Sequence, residues 1–169
     1  MAIASRRIVV AVDESEESMY ALSWCLKNIV AASATDAAEH GGDARKDTIV
    51  LLHARRPRTI YPPMDGTGYL FSADIVEGME RYGAQLSKSV MEKAKQLCAE
   101  FPDVVVETRV ESGDPRDVIC EAVESIKPDI LVMGSHGYGP IKRAFLGSVS
   151  SHCAQHVKCP VLIVKMPKH

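Results

Sequence analysis

The sequence predicts an α/β fold, a doubly wound five-stranded parallel sheet with helices on both faces. Two observations carry the prediction. Short β-rich runs alternate with helical patterns in the order β-α-β-α-β-α-β-α-β. Four of the five runs are almost continuously apolar, as strands covered on both faces are. The runs are Ile8–Val12, Thr48–Ala54, Val104–Val110, Asp129–Gly134 and Val161–Lys165. The third alternates instead, with Val104, Val106, Thr108 and Val110 on one face and Glu107 and Arg109 on the other. That pattern predicts a half-exposed strand at the sheet edge. With right-handed crossovers, an edge position for the third strand favours the order 3-2-1-4-5. The chain then reverses direction between strands 1 and 4. Ligands of such sheets bind beyond the strand carboxyl ends at that switch point, so the residues following Val12 and Met133 are the ones to watch.

The intervening segments carry the period of a helix. Met19, Leu22, Leu26 and Ile29 recur at spacings of 3, 4 and 3 after Ser15, which fits an N-cap. Met79, Leu86, Val90, Leu97 and Phe101 form a longer stripe that ends at Pro102. Asp114-Pro115-Arg116-Asp117 joins a capping acid to a proline in the first turn. Val118, Ile119, Ala122, Val123 and Ile126 follow, and Lys127-Pro128 closes that helix. A last helix fits Ser148–Val157. Thr35–Asp47 reads as a polar surface loop. Arg55–Gly78, with Pro57, Pro62, Pro63, Gly66 and Gly68, is too long for an ordinary connection. It leaves strand 2 on the ligand side, as a lid or as a surface excursion.

Composition narrows the function classes. The 169 residues suit a single domain spanning 1–169. Twenty basic and 22 acidic side chains leave a formal charge of −2, which gives no electrostatic footprint for nucleic acid or an anionic membrane. Apolar residues at 46% and charged ones at 25% are the mixture of a globular protein. The five cysteines, without CxxC spacing, point to reduced and mostly buried thiols. No apolar run reaches the length of a membrane span, and the opening residues are too brief for a signal peptide. The expected location is the cytoplasm, with the nucleus open to a protein of this size.

The segment that carries chemistry follows strand 4. Gly134, Gly137, Gly139 and Gly147 fall within fourteen residues, out of eleven glycines in the protein. Glycines after a strand let backbone amides approach a phosphate closely. Ser148 and Ser150 open the last helix, whose free N–H groups and dipole favour an anion, and their hydroxyls are expected to donate to it. The two pieces together read as a phosphate cradle. The Gly-x4-Gly-Lys-Ser/Thr of a P-loop is absent, and so is Gly-x-Gly-x-x-Gly after strand 1 or 4. Asp13, across the switch point, is either an acceptor for a ribose or purine amine or a helix-capping acid. His136 is placed for a phosphate contact. Arg55, Arg56 and Arg58 read as a solvated face. His152 and His156 share a helix face but lack a third ligand, so no metal site is expected. Ser135 lacks the Gly-x-Ser-x-Gly context of a nucleophile, and no catalytic residue is assigned.

The spacing Gly134-x2-Gly137-x9-Gly147-Ser148 resembles the nucleotide motif of the universal stress protein family. The opening IVVAVDES, the DILVMGSHG strand and loop, the LGSVS turn and the terminal CPVLIVK strand are similar as well, so the resemblance covers essentially the whole chain. It implies a Rossmann-like, dimeric domain that binds ATP or AMP, with Mg²⁺ carried on the phosphates. Carried onto matching positions, it places Ala11, Val12, Asp13 and Ala54 around the adenosine, and Met133 and Gly134 against base and ribose. His136, Gly137, Gly147, Ser148, Val149 and Ser150 would then hold the phosphates. The apolar last strand, Val161, Leu162, Ile163 and Val164, would be the dimer contact, an expectation shared with its place at an edge. On this reading the nucleotide acts as a regulatory ligand in a stress response and the protein is not an enzyme. Two alternatives remain: a slow ATP phosphohydrolase, and a dimeric interaction module independent of nucleotide.

Overall fold

The computed structural model describes residues 5–39, 41, 46–57, 73–136 and 146–167. Its strands are β1 (Arg7–Ala11), β2 (Thr48–Arg55), β3 (Val105–Ser112), β4 (Ile130–Gly134) and β5 (Val161–Val164). They form one parallel sheet in the order β3-β2-β1-β4-β5, as the sequence predicts. The helices are α1 (Glu16–Cys25), α2 (Ala31–Glu39), α3 (Ala73–Ala99), α4 (Pro115–Ile126) and α5 (Ser148–His156), with a π-helical turn at Leu26–Val30 joining the first two.

Strand pleating sends alternate side chains to opposite faces, and both faces of this sheet are covered. Ile8, Val10, Ile49, Leu51 and Val132 meet Leu22 and Leu26 with Val90, Met91 and Ala94 of α3. Val9, Val50, Leu52, Leu131 and Met133 meet Ile119, Ala122 and Val123 of α4 and Cys153 of α5. The cysteines are free, and three are buried. Burial pushes the Cys25 and Cys153 thiols up to about 12, which keeps them protonated.

Three expectations are corrected. The apolar stripe of α3 is rotated: its buried face runs through Ser87, Val90, Met91, Ala94 and Cys98, while Leu86 and Leu97 are only half-buried. Thr35–Glu39 is not loop but the end of α2, and Asp47 is buried at 7% exposure. β3 is open on both sides: Val105, Val106 and Val110 are 44%, 36% and 48% exposed, because the helical layer packs on Val104 and stops there.

Two acids hold the amino ends of the strands. Asp129 accepts from the Arg7 amide at 2.7 Å. Asp47 accepts from the Arg6 amide at 3.1 Å and from its Nε at 3.2 Å. Helix starts follow the sequence signals. Ser15 caps α1 by accepting from the Ser18 amide, and Asp114 caps α4 by accepting from the Arg116 amide at 2.9 Å.

The Arg116 side chain also donates to Asp114, at 2.9 and 3.1 Å. These bonds lower the Asp114 carboxyl to about 2. A carboxyl depressed in the folded state stabilises above its unfolded value of roughly 4 and loses that contribution as pH falls through the folded one. Asp114→Asn keeps the cap but removes the charge. Its melting temperature is expected to lie about 1–3 °C below the parent at pH 6 and to converge with it near pH 2, as followed by circular dichroism.

Candidate functional site

β1 delivers the chain to α1 on one face of the sheet, and β4 delivers it towards α5 on the other. Their carboxyl ends diverge, and a cavity of about 330 Å³ opens between them. That lies within the range of small-ligand sites. Ala11, Val12 and Asp13 border it from β1, Ala54 from β2, Met133 and Gly134 from β4, His136 from the loop, and Val149 and Ser150 from α5. Nine of the residues singled out from the sequence therefore meet around one space. Gly147 and Ser148 are not on the wall formed by the described residues, and Gly137 lies outside the described residues.

Asp13 caps a turn and faces the cavity at once. Its Oδ1 accepts from the Ser15 amide at 2.9 Å and from the Ser15 hydroxyl. The Asp13 amide donates to Ser18 Oγ at 3.0 Å, which fixes the turn from β1 into α1.

The entry to α5 is held from the end of β4. The Ser135 carbonyl accepts from the Gly147 amide at 2.6 Å and from Ser150 Oγ at 2.8 Å. Ser150 is 2% exposed, and the carbonyls of Ser135 and Gly147 compete for its single hydroxyl hydrogen. This hydroxyl holds the start of α5 in place. Gly147 is the N-cap and supplies no side-chain acceptor, unlike Ser15 at the start of α1 and Asp114 at the start of α4. Among the described residues no side chain caps the first-turn amides of α5, an arrangement that suits an anion.

Several wall and support residues escaped the sequence reading. Glu17, in the first turn of α1, accepts from the His136 amide at 2.8 Å, and its Oε2 lies 3.5 Å from His136 Nδ1. Gly134 makes this approach possible, since a Cβ there would sit 3.0 Å from the Glu17 carbonyl carbon and oxygen. His53 is 3% exposed on the wall, and its Nδ1–H donates to the Val12 carbonyl at 2.9 Å. A polar residue ending an apolar strand was the signal for it. Gly83, Leu86 and Ser87 of α3 and Pro115 and Ile119 of α4 close the far side. Arg55 and Arg56 border the cavity, Arg55 half-buried and Arg56 exposed as a solvated face would be; Arg58 lies outside the described residues. Arg55 reaches over α3 and donates to the Glu80 carbonyl at 2.7 Å.

His152 and His156 stack with ring centroids 4.1 Å apart, and His156 Nδ1 donates to the His152 carbonyl at 2.8 Å. Among the described residues no three His, Cys, Asp or Glu side chains are grouped to hold a metal ion, and no helix is long and apolar enough to cross a membrane.

A parallel 3-2-1-4-5 sheet with a ligand-sized cavity at its switch point defines a Rossmann-like binding domain. Comparison with known proteins narrows the class. The universal stress protein family model matches residues 4–165, and the chain belongs to that family. It is 29% identical to a universal stress protein A-like protein of Arabidopsis thaliana, over 94% of this chain and 89% of that one. It is 31% identical to the universal stress protein PHOS34 of the same plant, over 97% of this chain and 63% of that longer protein. Among solved structures, a universal stress protein family member from Arabidopsis thaliana with AMP bound superposes with a TM-score of 0.65 at 26% identity, covering 96% of this chain and 92% of that one.

Proposed function

We propose that residues 1–169 form a single domain that binds an adenine nucleotide, ATP or AMP, at the switch-point cavity, and that the nucleotide is a regulatory ligand in a stress response. The observation that carries this is the cavity itself, whose wall joins apolar side chains to the first turn of a helix that no side chain caps among the described residues. Leu52, Ala54, Leu86 and Ile119 supply apolar surface, which suits a purine. Gly134, His136 and the first turn of α5 supply glycine backbone, helix amides and dipole, which suit phosphate oxygens. The AMP-bound relative supports the same ligand class. Where ATP is the ligand, Mg²⁺ comes with its phosphates.

The nucleotide acts here as a ligand and not as a substrate. Ser135 Oγ lies 3.2 Å from His136 Nδ1, but Ser135 is 5% exposed and is not on the cavity wall formed by the described residues, so it is not aimed at a bound ligand as a nucleophile. A ligand switches a protein only through unequal affinity for two states. The segment 55–78 is the element proposed to respond; Arg55 ends β2 and Ala73 begins α3, which corrects the loop reading at both ends, and residues 58–72 lie outside the described residues. The protein is proposed to be cytoplasmic, with access to the nucleus, and to pair as a homodimer through β5. Val161, Leu162 and Ile163 are half-buried on this edge strand, and β5 pairs with β4 alone among the described strands. Antiparallel pairing about a two-fold axis would cover the open edge.

The test is mass spectrometry of small molecules released on denaturing freshly purified protein, followed by calorimetry with Mg–ATP and with AMP. One adenine nucleotide per subunit is the expected result. Protein that is empty and indifferent to both nucleotides overturns the reading.

A further inference from the structure

We infer that Ser87 of α3 determines base specificity, its hydroxyl bonding to the edge of the nucleobase. The inference rests on the nucleotide reading and adds a contact from an element that reading leaves passive. Ser87 is 6% exposed, and its Oγ has no hydrogen-bond partner among the described residues. Buried hydroxyls are seldom left so, because desolvation without a partner is unfavourable.

A helical serine has a standard remedy one turn back, donating to the carbonyl four residues earlier. Ser33 takes it, donating to Ile29 at 2.9 Å, and Thr35 does the same to Ala31 at 3.0 Å. The buried Ser18 and Ser150 also donate to backbone carbonyls. Ser87 has the Gly83 carbonyl at that position and makes no such bond.

The surroundings say where the partner comes from. Ser87 borders the cavity, whose wall also carries Leu52, Ala54, Leu86 and Ile119, and none of the polar side chains on that wall, His53, Arg55 and Arg56 included, bonds its hydroxyl. The ligand itself is then the available partner. The groups proposed to bind phosphate, Gly134, His136 and the start of α5, come from β4, the loop after it and α5, whereas Ser87 comes from α3. What meets Ser87 is therefore the ring system, whose edge nitrogens or amine need a bond within an apolar enclosure. Ser87 is also held in place. The Arg55 guanidinium passes 3.1 Å from where a Cβ on Gly83 would be and donates to the Glu80 carbonyl, tying α3 to the end of β2 one turn before Ser87.

The test is calorimetry of the parent and Ser87→Ala with AMP and with ribose 5-phosphate, beside melting curves of both proteins without ligand. Ser87→Ala is expected to weaken AMP about five- to tenfold and to leave ribose 5-phosphate affinity unchanged. Its ligand-free melting temperature is expected to equal or exceed the parent's, since a methyl hydrogen replaces a buried hydroxyl that lacks a partner. Equal AMP affinities overturn the inference and leave the nucleotide reading standing. Equal losses for AMP and ribose 5-phosphate overturn the base assignment, and a lower ligand-free melting temperature shows that the hydroxyl serves the fold. A parent protein that binds no AMP overturns the nucleotide reading itself, and this inference with it.

Discussion

Asp47→Ala is expected to lower the free energy of unfolding by about 3 kcal/mol and to leave AMP affinity within about twofold of the parent. Asp47 is 7% exposed and receives three groups from one residue: the Arg6 amide, its Nε and its Nη2. The same Nη2 also reaches Ser33 Oγ and, at 3.2 Å, the Ile29 carbonyl, which accepts from Ser33 Oγ as well. One carboxylate thus joins the start of β1, the helical layer and the start of β2. Removing it strands a partly buried guanidinium, whose charge the Asp47 bonds now favour against the cost of burial. Breaking a buried pair from one side costs roughly 3–5 kcal/mol, and the 33% exposure of the Arg6 side chain permits partial rehydration, so the lower end applies. Asp47→Asn keeps an acceptor for the Arg6 amide and should cost about half as much. The pair sits where Arg7 registers with Thr48, at the amino ends of the strands, and the cavity lies at their carboxyl ends. Urea unfolding with calorimetry separates the two effects. An unchanged midpoint contradicts the stability claim, and a large affinity loss contradicts the separation of the two ends.

That separation also explains which features were legible in the sequence. Strands buried on both faces must be apolar at every position, so β1, β2, β4 and β5 were readable to within one residue at each end. Strand order followed from the one run that alternates. The cavity's place then followed from topology, which is why nine of the twelve proposed ligand residues share one wall. What was missed depends on burial or approach that no local pattern records. Thr35, Asp36, Ala38 and Glu39 of α2 are exposed, so this helix leaves no apolar period. In α3 the apolar positions spread over two neighbouring stripes, and only packing shows that Ser87, not Leu86, lies on the buried one. Glu17 and His136 are 119 residues apart, and nothing in either neighbourhood announces their contact. The bond from Ser150 to the Ser135 carbonyl was not legible either, because a serine near a helix start bonds equally well to a ligand or to a carbonyl.

The contact between Glu17 and His136 leads to the second large effect. Gly134→Val is expected to weaken AMP binding at least about a hundredfold and to lower the melting temperature by about 4–8 °C. Gly134 does not have a positive φ, so backbone freedom is not what requires glycine here. Space is. A Cβ would meet the Glu17 carbonyl carbon and oxygen at 3.0 Å and the Glu17 Cβ at 3.3 Å. Backbone atoms in the first turn of α1 cannot rotate aside, and the helix behind them is anchored by buried Met19 and Leu22. Either α1 or the end of β4 must move. Both movements draw Glu17 Oε2 away from the His136 amide, now 2.8 Å away, and displace the Ser135 carbonyl that holds Gly147 and Ser150. The amides proposed to bind phosphate then lose their aim, and one or two charge-assisted bonds of roughly 1.5–3 kcal/mol each are enough for the affinity loss. Gly134→Ala asks only for a shift of a few tenths of an ångström, so its effects on melting and affinity should fall between parent and valine variant. Circular dichroism melting with AMP calorimetry tests the series. A valine variant that melts lower yet binds AMP normally would show that β4 and α1 can separate without disturbing the loop, and would remove Glu17 from the description of the site.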